Sequence, residues 1–399
     1  MIVKLNKIFK RAIPVMKKLE IEGYQAFFVG GAVRDAVIGR RINDIDIATS
    51  ATPKEMKKIF KTSPNYSGEK HGTDLVFFNG HTYEITTFRI DGKYIDNRHP
   101  KNVYFTKSLV KDLSRRDFTI NALAMDTKGN IFDYFGGLKD LKKREIKCVG
   151  DSDKRFLEDA LRILRAFRFS SQLGFEIEKN TLFWAKKLTN HLNNIAVERI
   201  FDEFSKLLSG RWAHRTLVQL WNLSVNDYLP GISLMKNPLK AFKKYQTPKQ
   251  NYLSVCWTRF VYLGNLPKKN LNRFLRKWKM SNKLINKIIG SVNFLQKKHP
   301  NKLDIFNVGK NFKNSLDAIE RADKNLLIKN HDELKITNVK QLKISGNDIL
   351  NLGIPSGPLV GIIINKLKND VIMDLIKNQK NILLRNAKKI FIDLKGNKI

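Results

Sequence analysis

The chain has 399 residues, 74 Lys+Arg against 37 Asp+Glu for a formal net charge of +37, and 42% hydrophobic residues. That length is too great for one ordinary core and that apolar content too high for a disordered chain, so two or more folded domains are expected. No apolar run approaches the roughly 20 residues that span a bilayer, and the two cysteines, Cys148 and Cys256, are far apart with no CxxC pair, which argues against a zinc site or a disulfide framework.

The segment up to Gly31 has no apolar signal core and no small-residue cleavage site, so a reducing cytoplasm is the expected location. Ala26–Val29 is a short apolar run ending at Gly30-Gly31, and Ala32–Ile38 then reads as a helix. Asn43–Ala48 alternates polar and apolar, the pattern of a half-buried strand. Thr52-Pro53-Lys54-Glu55 has an N-cap, a first-position proline and a first-turn acid, which start a helix running through Phe60. Leu75–Phe78 and Thr82–Phe88 read as strands of a hairpin around Asn79-Gly80. Residues 89–114 have few helix signals and read as a loop. Gly136-Gly137 reads as a joint before a helical stretch from Asp153 to about Gly210, and the remaining sequence looks helical, interrupted by Gly353–Pro358.

Charge is divided unevenly along the chain. Residues 1–210 hold 38 basic and 26 acidic side chains, whereas residues 211–399 hold 36 and 11. A half with such an excess suits a polyanion, because each neutralised phosphate releases counterions.

Two acids, Asp44 and Asp46, follow the Gly30-Gly31 turn by about a dozen residues. On a strand, residues i and i+2 point to one side, so the two carboxylates would lie together and call for a cation between them. Mg²⁺ is the expected ion, since it prefers a few carboxylates plus substrate phosphates. A pair of such ions about 4 Å apart activates an attacking hydroxyl and steadies a leaving pyrophosphate. The turn at Gly30 and Gly31 offers backbone N–H groups to a triphosphate, and Arg34 adds a charge-assisted contact. Glu84 is a candidate third acid. No histidine is assigned a role; His71 and His99 are read as loop or packing residues.

The stretch GGAVRD followed by DIDIATSATP resembles the signature of class II nucleotidyltransferases, the group containing CCA-adding enzymes and bacterial poly(A) polymerases. Ser114–Leu123 resembles that family's ribose-selecting motif, Asp133–Gly137 its hinge motif, Arg155–Asp159 through Arg162, Arg165 and Arg168 its base-recognition helix, and Glu198–Leu207 its helix-stabilising motif. The resemblance is strong over residues 25–210, is not seen over 211–335 and returns weakly at Ile344–Gly361. It implies an α+β fold: a nucleotidyltransferase head with a small mixed sheet (1–150), then an all-helical neck (151–210), body (211–335) and tail (336–399). It further implies template-independent addition of C, C and A to the 3′ end of tRNA from CTP and ATP, with Mg²⁺, no membrane and no obligate protein partner.

By the same resemblance Asp44 and Asp46 are the catalytic metal ligands, Gly31 and Arg34 meet the nucleotide, and Arg116 and Asp117 form a pair that holds a ribose hydroxyl. Asp159 and Arg162, with Arg165 along one helix flank and Arg168 further along the same motif, would imitate a Watson–Crick edge: the acid accepts from an exocyclic amino group and the guanidinium donates to ring acceptors. Cytosine and adenine both present an amino group beside an acceptor; uracil and guanine do not in that arrangement. The rival readings are a poly(A) polymerase, an enzyme adding only the final A, and a non-catalytic RNA-binding protein. Gly68–Leu75 resembles the CCA-type segment, with Asp74 where a β-branched residue is usual. The complete stretch 89–100 disfavours a form that adds only CC.

Overall fold

The computed structural model describes residues 1–63, 72–92 and 103–396, in two compact units, Met1–Pro230 and Gly231–Ile399. Half of the Gly68–Leu75 segment (68–71), most of the 89–100 stretch, and both His71 and His99 therefore lie outside the described residues.

Unit 1 opens with helix α1 (Lys7–Ile21), capped by the Asn6 side chain. It continues through β1 (Ala26–Val29), α2 (Gly31–Val37), β2 (Asp46–Thr49), α3 (Pro53–Ile59), β3 (Lys61–Thr62), β4 (Thr73–Phe78) and β5 (His81–Thr87). Then come β6 (Arg89–Asp91), β7 (Val103–Phe105), α4 (Leu109–Ser114), β8 (Leu123–Met125), β9 (Ile131–Asp133), α5 (Gly137–Lys143) and β10 (Glu145–Ile146). The main sheet runs β3-β4-β5-β2-β1-β8-β9, with β2 and β5 parallel and every other neighbouring pair antiparallel. It is therefore mixed, as expected for the head. Its inward residues include Phe28, Ile47 and Ile85, all fully buried, and Phe9 of α1 packs edge-on against Phe28 with ring centroids 4.8 Å apart.

Local chemistry explains several boundaries. Thr52 and Glu55 form a complete capping box, with Pro53 at the start of α3. Asn79 and Gly80 both adopt positive φ, 48° and 73°, the backbone a two-residue hairpin with right-handed strand twist needs. Two expectations need correction. The strand at the paired acids begins at Asp46, so Asp44 precedes it. Residues 89–114 are not simply loop: β6 pairs with β7, and α4 forms behind the Ser108 cap.

Unit 1 continues with α6 (Ser152–Glu158), α7 (Leu161–Leu173), β11 (Glu176–Ile177), α8 (Lys179–Lys187), α9 (Val197–Leu208) and α10 (Ala213–Asn222). The helical reading from Asp153 is broken at one informative place. Asp159 has φ −146° and ψ 100°, extended values that separate α6 from α7. Asp159, Arg162 and Arg165 therefore do not share the flank of a single helix.

The joint at Gly136-Gly137 is tightly held. Asp133 accepts from the backbone N–H groups of Gly137 and Leu138, both at 2.9 Å, and a Cβ on Gly137 would sit 2.3 Å from the Thr119 carbonyl oxygen. Gly137→Ala is expected to cost about 1–3 kcal/mol through forced backbone displacement, visible as a lowered thermal midpoint against wild type.

Unit 2 is all-helical among the described residues, from α11 (Pro238–Lys244) to α20 (Lys380–Gly396). Trp257 and Trp278 are fully buried with centroids 4.7 Å apart. A second cluster is built on Ile349, Ile363, Leu367, Val371, Leu383 and Ala387. Pro358, the last residue of the predicted Gly353–Pro358 interruption, begins the helix Pro358–Ile372.

Candidate active site

A cleft of about 540 Å³ opens in unit 1. Gly30, Gly31 and Asp46 form one part of its wall, and Asp117, Asn121, Asp159 and Phe169 others. Seven arginines line it: Arg34, Arg115, Arg116, Arg162, Arg165, Arg168 and Arg199. Gly31, Arg34, Asp46, Arg116, Asp117, Asp159, Arg162, Arg165 and Arg168, all named from the sequence, lie on this lining; Asp44 and the candidate third acid Glu84 do not. So dense a set of cations facing one space suits a polyphosphate.

The acidic end is set by strand pairing. β2 and β5 run parallel with Asp46 opposite Glu84, so these two carboxylates share one face of the sheet. Asp44 bends back to accept from the Ile45 backbone N–H at 2.9 Å. Desolvation in the cleft raises the Asp46 pKa above its usual value, and the charges of Asp44 and Glu84 add to this while Arg116 opposes it. Asp46 thus gathers electrostatic partners from three segments, which periodicity alone, pointing to Asp44 and Asp46, did not reveal. Among the described residues no cluster of three or more His, Cys, Asp or Glu makes a ready metal cage.

Gly30 shapes the next part. Its φ of 72° and ψ of −137° suit glycine, and a Cβ there would meet Arg116 at 3.2 Å. Arg34, nearly buried, donates to Asn121 Oδ1 at 2.7 Å and to Asp35 at 3.0 Å. The anticipated Arg116–Asp117 pair does not form. Arg116 instead pairs with Asp112 at 3.2 Å, while Asp117 takes two bonds from Arg165, at 2.8 and 2.6 Å, and one from Asn121 at 3.1 Å. Burial alone would raise the Asp117 pKa; the Arg165 charge and these hydrogen bonds overcome it and hold the carboxyl well below its usual range.

At the neck, the acid and the guanidinium meant to read a base are each held by other groups. Arg162 donates to Glu158 at 2.6 Å, to the Arg155 carbonyl at 3.0 Å and to the Arg115 carbonyl at 3.1 Å. Asp159 accepts from both terminal nitrogens of Arg199, at 3.2 and 2.8 Å. Arg165 and Arg168 pair with Glu203 at 3.4 and 3.1 Å. Burial, with the like charge of Arg165 beside it, lowers the Arg168 pKa to about 10, so it remains cationic at neutral pH.

Phe169 packs under three of these cations, with Arg168 4.0 Å, Arg34 5.2 Å and Arg165 5.5 Å from its ring centroid, a geometry that offsets part of their mutual repulsion. Sequence reasoning assigned no role to Phe169, Asn121, Arg115 or Asp112. Asn121, Arg115 and Arg199 lay within motifs it did recognise; Phe169 gave no signal, because a helical aromatic reads as core.

The poly A polymerase head domain family matches residues 26–147, a domain described as "probable RNA and SrmB-binding site of polymerase A" matches 174–235, and tRNA nucleotidyltransferase domain 2 matches 250–387, including much of the stretch where no resemblance was read. The CCA-adding enzyme of Ligilactobacillus salivarius is 41% identical, with 96% of each chain covered. That of Leuconostoc citreum is 38% identical, with 97% of each covered. Among solved structures, the Bacillus stearothermophilus CCA-adding enzyme in complex with CTP superposes with a TM-score of 0.86 at 32% identity, covering 98% of this chain and all of that one. The Thermotoga maritima CCA-adding enzyme complexed with tRNA shares the fold, with a TM-score of 0.64 at 22% identity over 96% of this chain and 95% of that one.

Proposed function

The chain belongs to the CCA-adding enzymes of the class II tRNA nucleotidyltransferases, and on that footing we propose that the arginine-lined cleft is where CTP and ATP are bound and joined to tRNA. The enzyme adds C, C and A to the tRNA 3′ end without a nucleic-acid template. In each addition the RNA 3′-oxygen bonds to the α-phosphorus of the nucleotide and gives up its proton. The bond from that phosphorus to the bridging oxygen breaks, and pyrophosphate leaves.

One observation carries the assignment of the site: a single cleft is lined at once by Asp46, by Asp159 and Arg162, and by six further arginines. The Gly30-Gly31 backbone and Arg34 hold the triphosphate, and Asp117 with its partners Arg165 and Asn121 orients the ribose side. Asp159 and Arg162 read the base. For that, Arg199 fixes the Asp159 carboxylate and Glu158 fixes the Arg162 fork, so the template is preorganised by neighbouring charges.

Asp46 on the cleft wall, with Asp44 two residues before it and Glu84 in register, offers oxygen ligands only. This donor set fits Mg²⁺, which binds through one or two carboxylates and keeps its other positions for water and phosphate. Held by these carboxylates, a divalent ion would supply Lewis-acid polarisation of the α-phosphate and assist deprotonation of the attacking hydroxyl. Cys148 and Cys256 are both buried free thiols, and no helix among the described residues is long and apolar enough to cross a membrane. We assign the enzyme to the cytoplasm on the thiol chemistry.

The test supplies purified protein with tRNAs ending before CCA, after C and after CC, each with one nucleoside triphosphate at a time. Ordered single additions of C, C and A are expected; long A-tails would mark a poly(A) polymerase, and addition to the CC-ending tRNA alone an A-adding enzyme. The basic half 211–399 grips the RNA. Affinity for tRNA should therefore drop steeply with salt, by about 10³–10⁵ between 50 and 200 mM if six to ten phosphates are neutralised. Filter binding at both salts checks this, and an unchanged affinity would show the charge to be uninvolved.

A further inference from the structure

Asp46, Arg115 and Arg116 form a wall shared by two cavities. One is the nucleotide cleft. The other, of about 230 Å³, is completed by Val29, Thr73, Thr86 and Arg89. Asp159 and Arg162 do not reach it.

Strand pairing builds this second cavity. Thr73 and Thr86 are register partners in the β4–β5 pair, with their hydroxyls 2.9 Å apart. Thr86 lies two residues beyond Glu84 on β5, so it shares the sheet face that carries Asp46. Arg89 is steadied by Asp91 at 3.2 Å, and Arg115 by Asp112 at 2.8 Å. The lining therefore offers hydroxyls and cations next to the carboxylate that the chemistry requires.

We propose that this second cavity holds the 3′-terminal ribose of the acceptor RNA together with its 5′-side phosphate, a proposal that rests on the nucleotidyl-transfer reading of the first cleft. In phosphoryl transfer the attacking and leaving oxygens stand roughly in line across the phosphorus. The leaving pyrophosphate is drawn towards the Gly30-Gly31 turn and Arg34. The attacking oxygen must then approach Asp46 from elsewhere, and this cavity is space that Asp46 borders and that Gly30, Gly31 and Arg34 do not line. Its size agrees. Pockets that enclose a drug-sized molecule run to about 300–1,000 Å³; this one is smaller, so it takes a ribose and a phosphate and leaves the base outside. Arg89 and Arg115 match the anionic phosphate. Thr73 and Thr86, each able to donate or accept, match a ribose hydroxyl.

The full-length enzyme is assayed for a single C addition to tRNA lacking CCA. Thr86→Val, which keeps shape and loses the hydroxyl, and Arg89→Ala are each expected to lower kcat/KM for the RNA about tenfold, the scale of a lost hydrogen bond to a charged or catalytic group. The Kd for CTP, measured without RNA, should stay within about twofold, since neither residue borders the nucleotide cleft. Thr86→Ser should restore most of the loss, because it returns the hydroxyl; Arg89→Lys should restore part, because it returns only the charge. Unchanged RNA kinetics in both variants, or a parallel loss of CTP affinity, would overturn the acceptor site. A wild-type enzyme that joins no C to this RNA would instead overturn the reading on which the proposal rests.

Discussion

Asp46→Ala is expected to abolish nucleotide addition, leaving less than about one percent of wild-type activity, because metal assistance supplies several kcal/mol of transition-state stabilisation and each 1.36 kcal/mol is a factor of ten. The carboxylate faces both cavities and takes charge influence from Asp44, Glu84 and Arg116. Asp44→Ala should act in the same direction. Glu84→Gln discriminates between two structural roles. A loss comparable to Asp46→Ala would make Glu84 a ligand, whereas a small loss would make it a neighbour that tunes Asp46. Affinity for tRNA, measured by filter binding, should survive in all three variants, since the basic half 211–399 is untouched. Activity above a few percent in Asp46→Ala would remove this residue from the chemistry.

How far the sequence foretold these arrangements depends on the range of the interactions involved. Local signals served well. The Thr52–Glu55 capping box and the Asn79-Gly80 turn are decided by backbone geometry within four residues, and both formed where read. The mixed-sheet head and helical remainder followed from ordered motifs.

Pairing between charges was harder to read, because it is settled by tertiary register. Arg116 and Asp117 are adjacent in sequence, yet Arg116 turns to Asp112 one helical turn back, and Asp117 to Arg165 and Asn121. The helix break at Asp159 had no proline or glycine to announce it. It lets Asp159 turn away from the helical i, i+3 relation with Arg162, so that Arg199 of another helix takes the carboxylate. The Asp46–Glu84 juxtaposition likewise needed the parallel β2–β5 pairing, which no local pattern specifies.

Arg162 is nearly buried, and its fork is held through one terminal nitrogen by Glu158 and the Arg155 carbonyl and through the other by the Arg115 carbonyl. Removing it by Arg162→Ala leaves Glu158 paired with Arg155 at 2.5 Å, so the acid is not stranded. It also leaves the Gly30-Gly31 turn and Arg34 in place for the triphosphate. Nucleotide and metal should still bind. What is lost is one half of an edge that cytosine and adenine satisfy, worth about 1–3 kcal/mol of discrimination, or roughly ten- to a hundredfold. Misincorporation of U and G relative to C and A should rise by that factor in single-turnover assays with each nucleotide separately. Arg162→Lys sharpens the test. Lysine keeps the charge but not the planar fork, so preference should be lost there as well if geometry reads the base, and retained if charge alone does. Should Arg162→Ala slow all four nucleotides equally, the residue joins Arg115 and Arg155 as a brace between α4 and α6, and base selection must rest on Asp159 and its Arg199 partner.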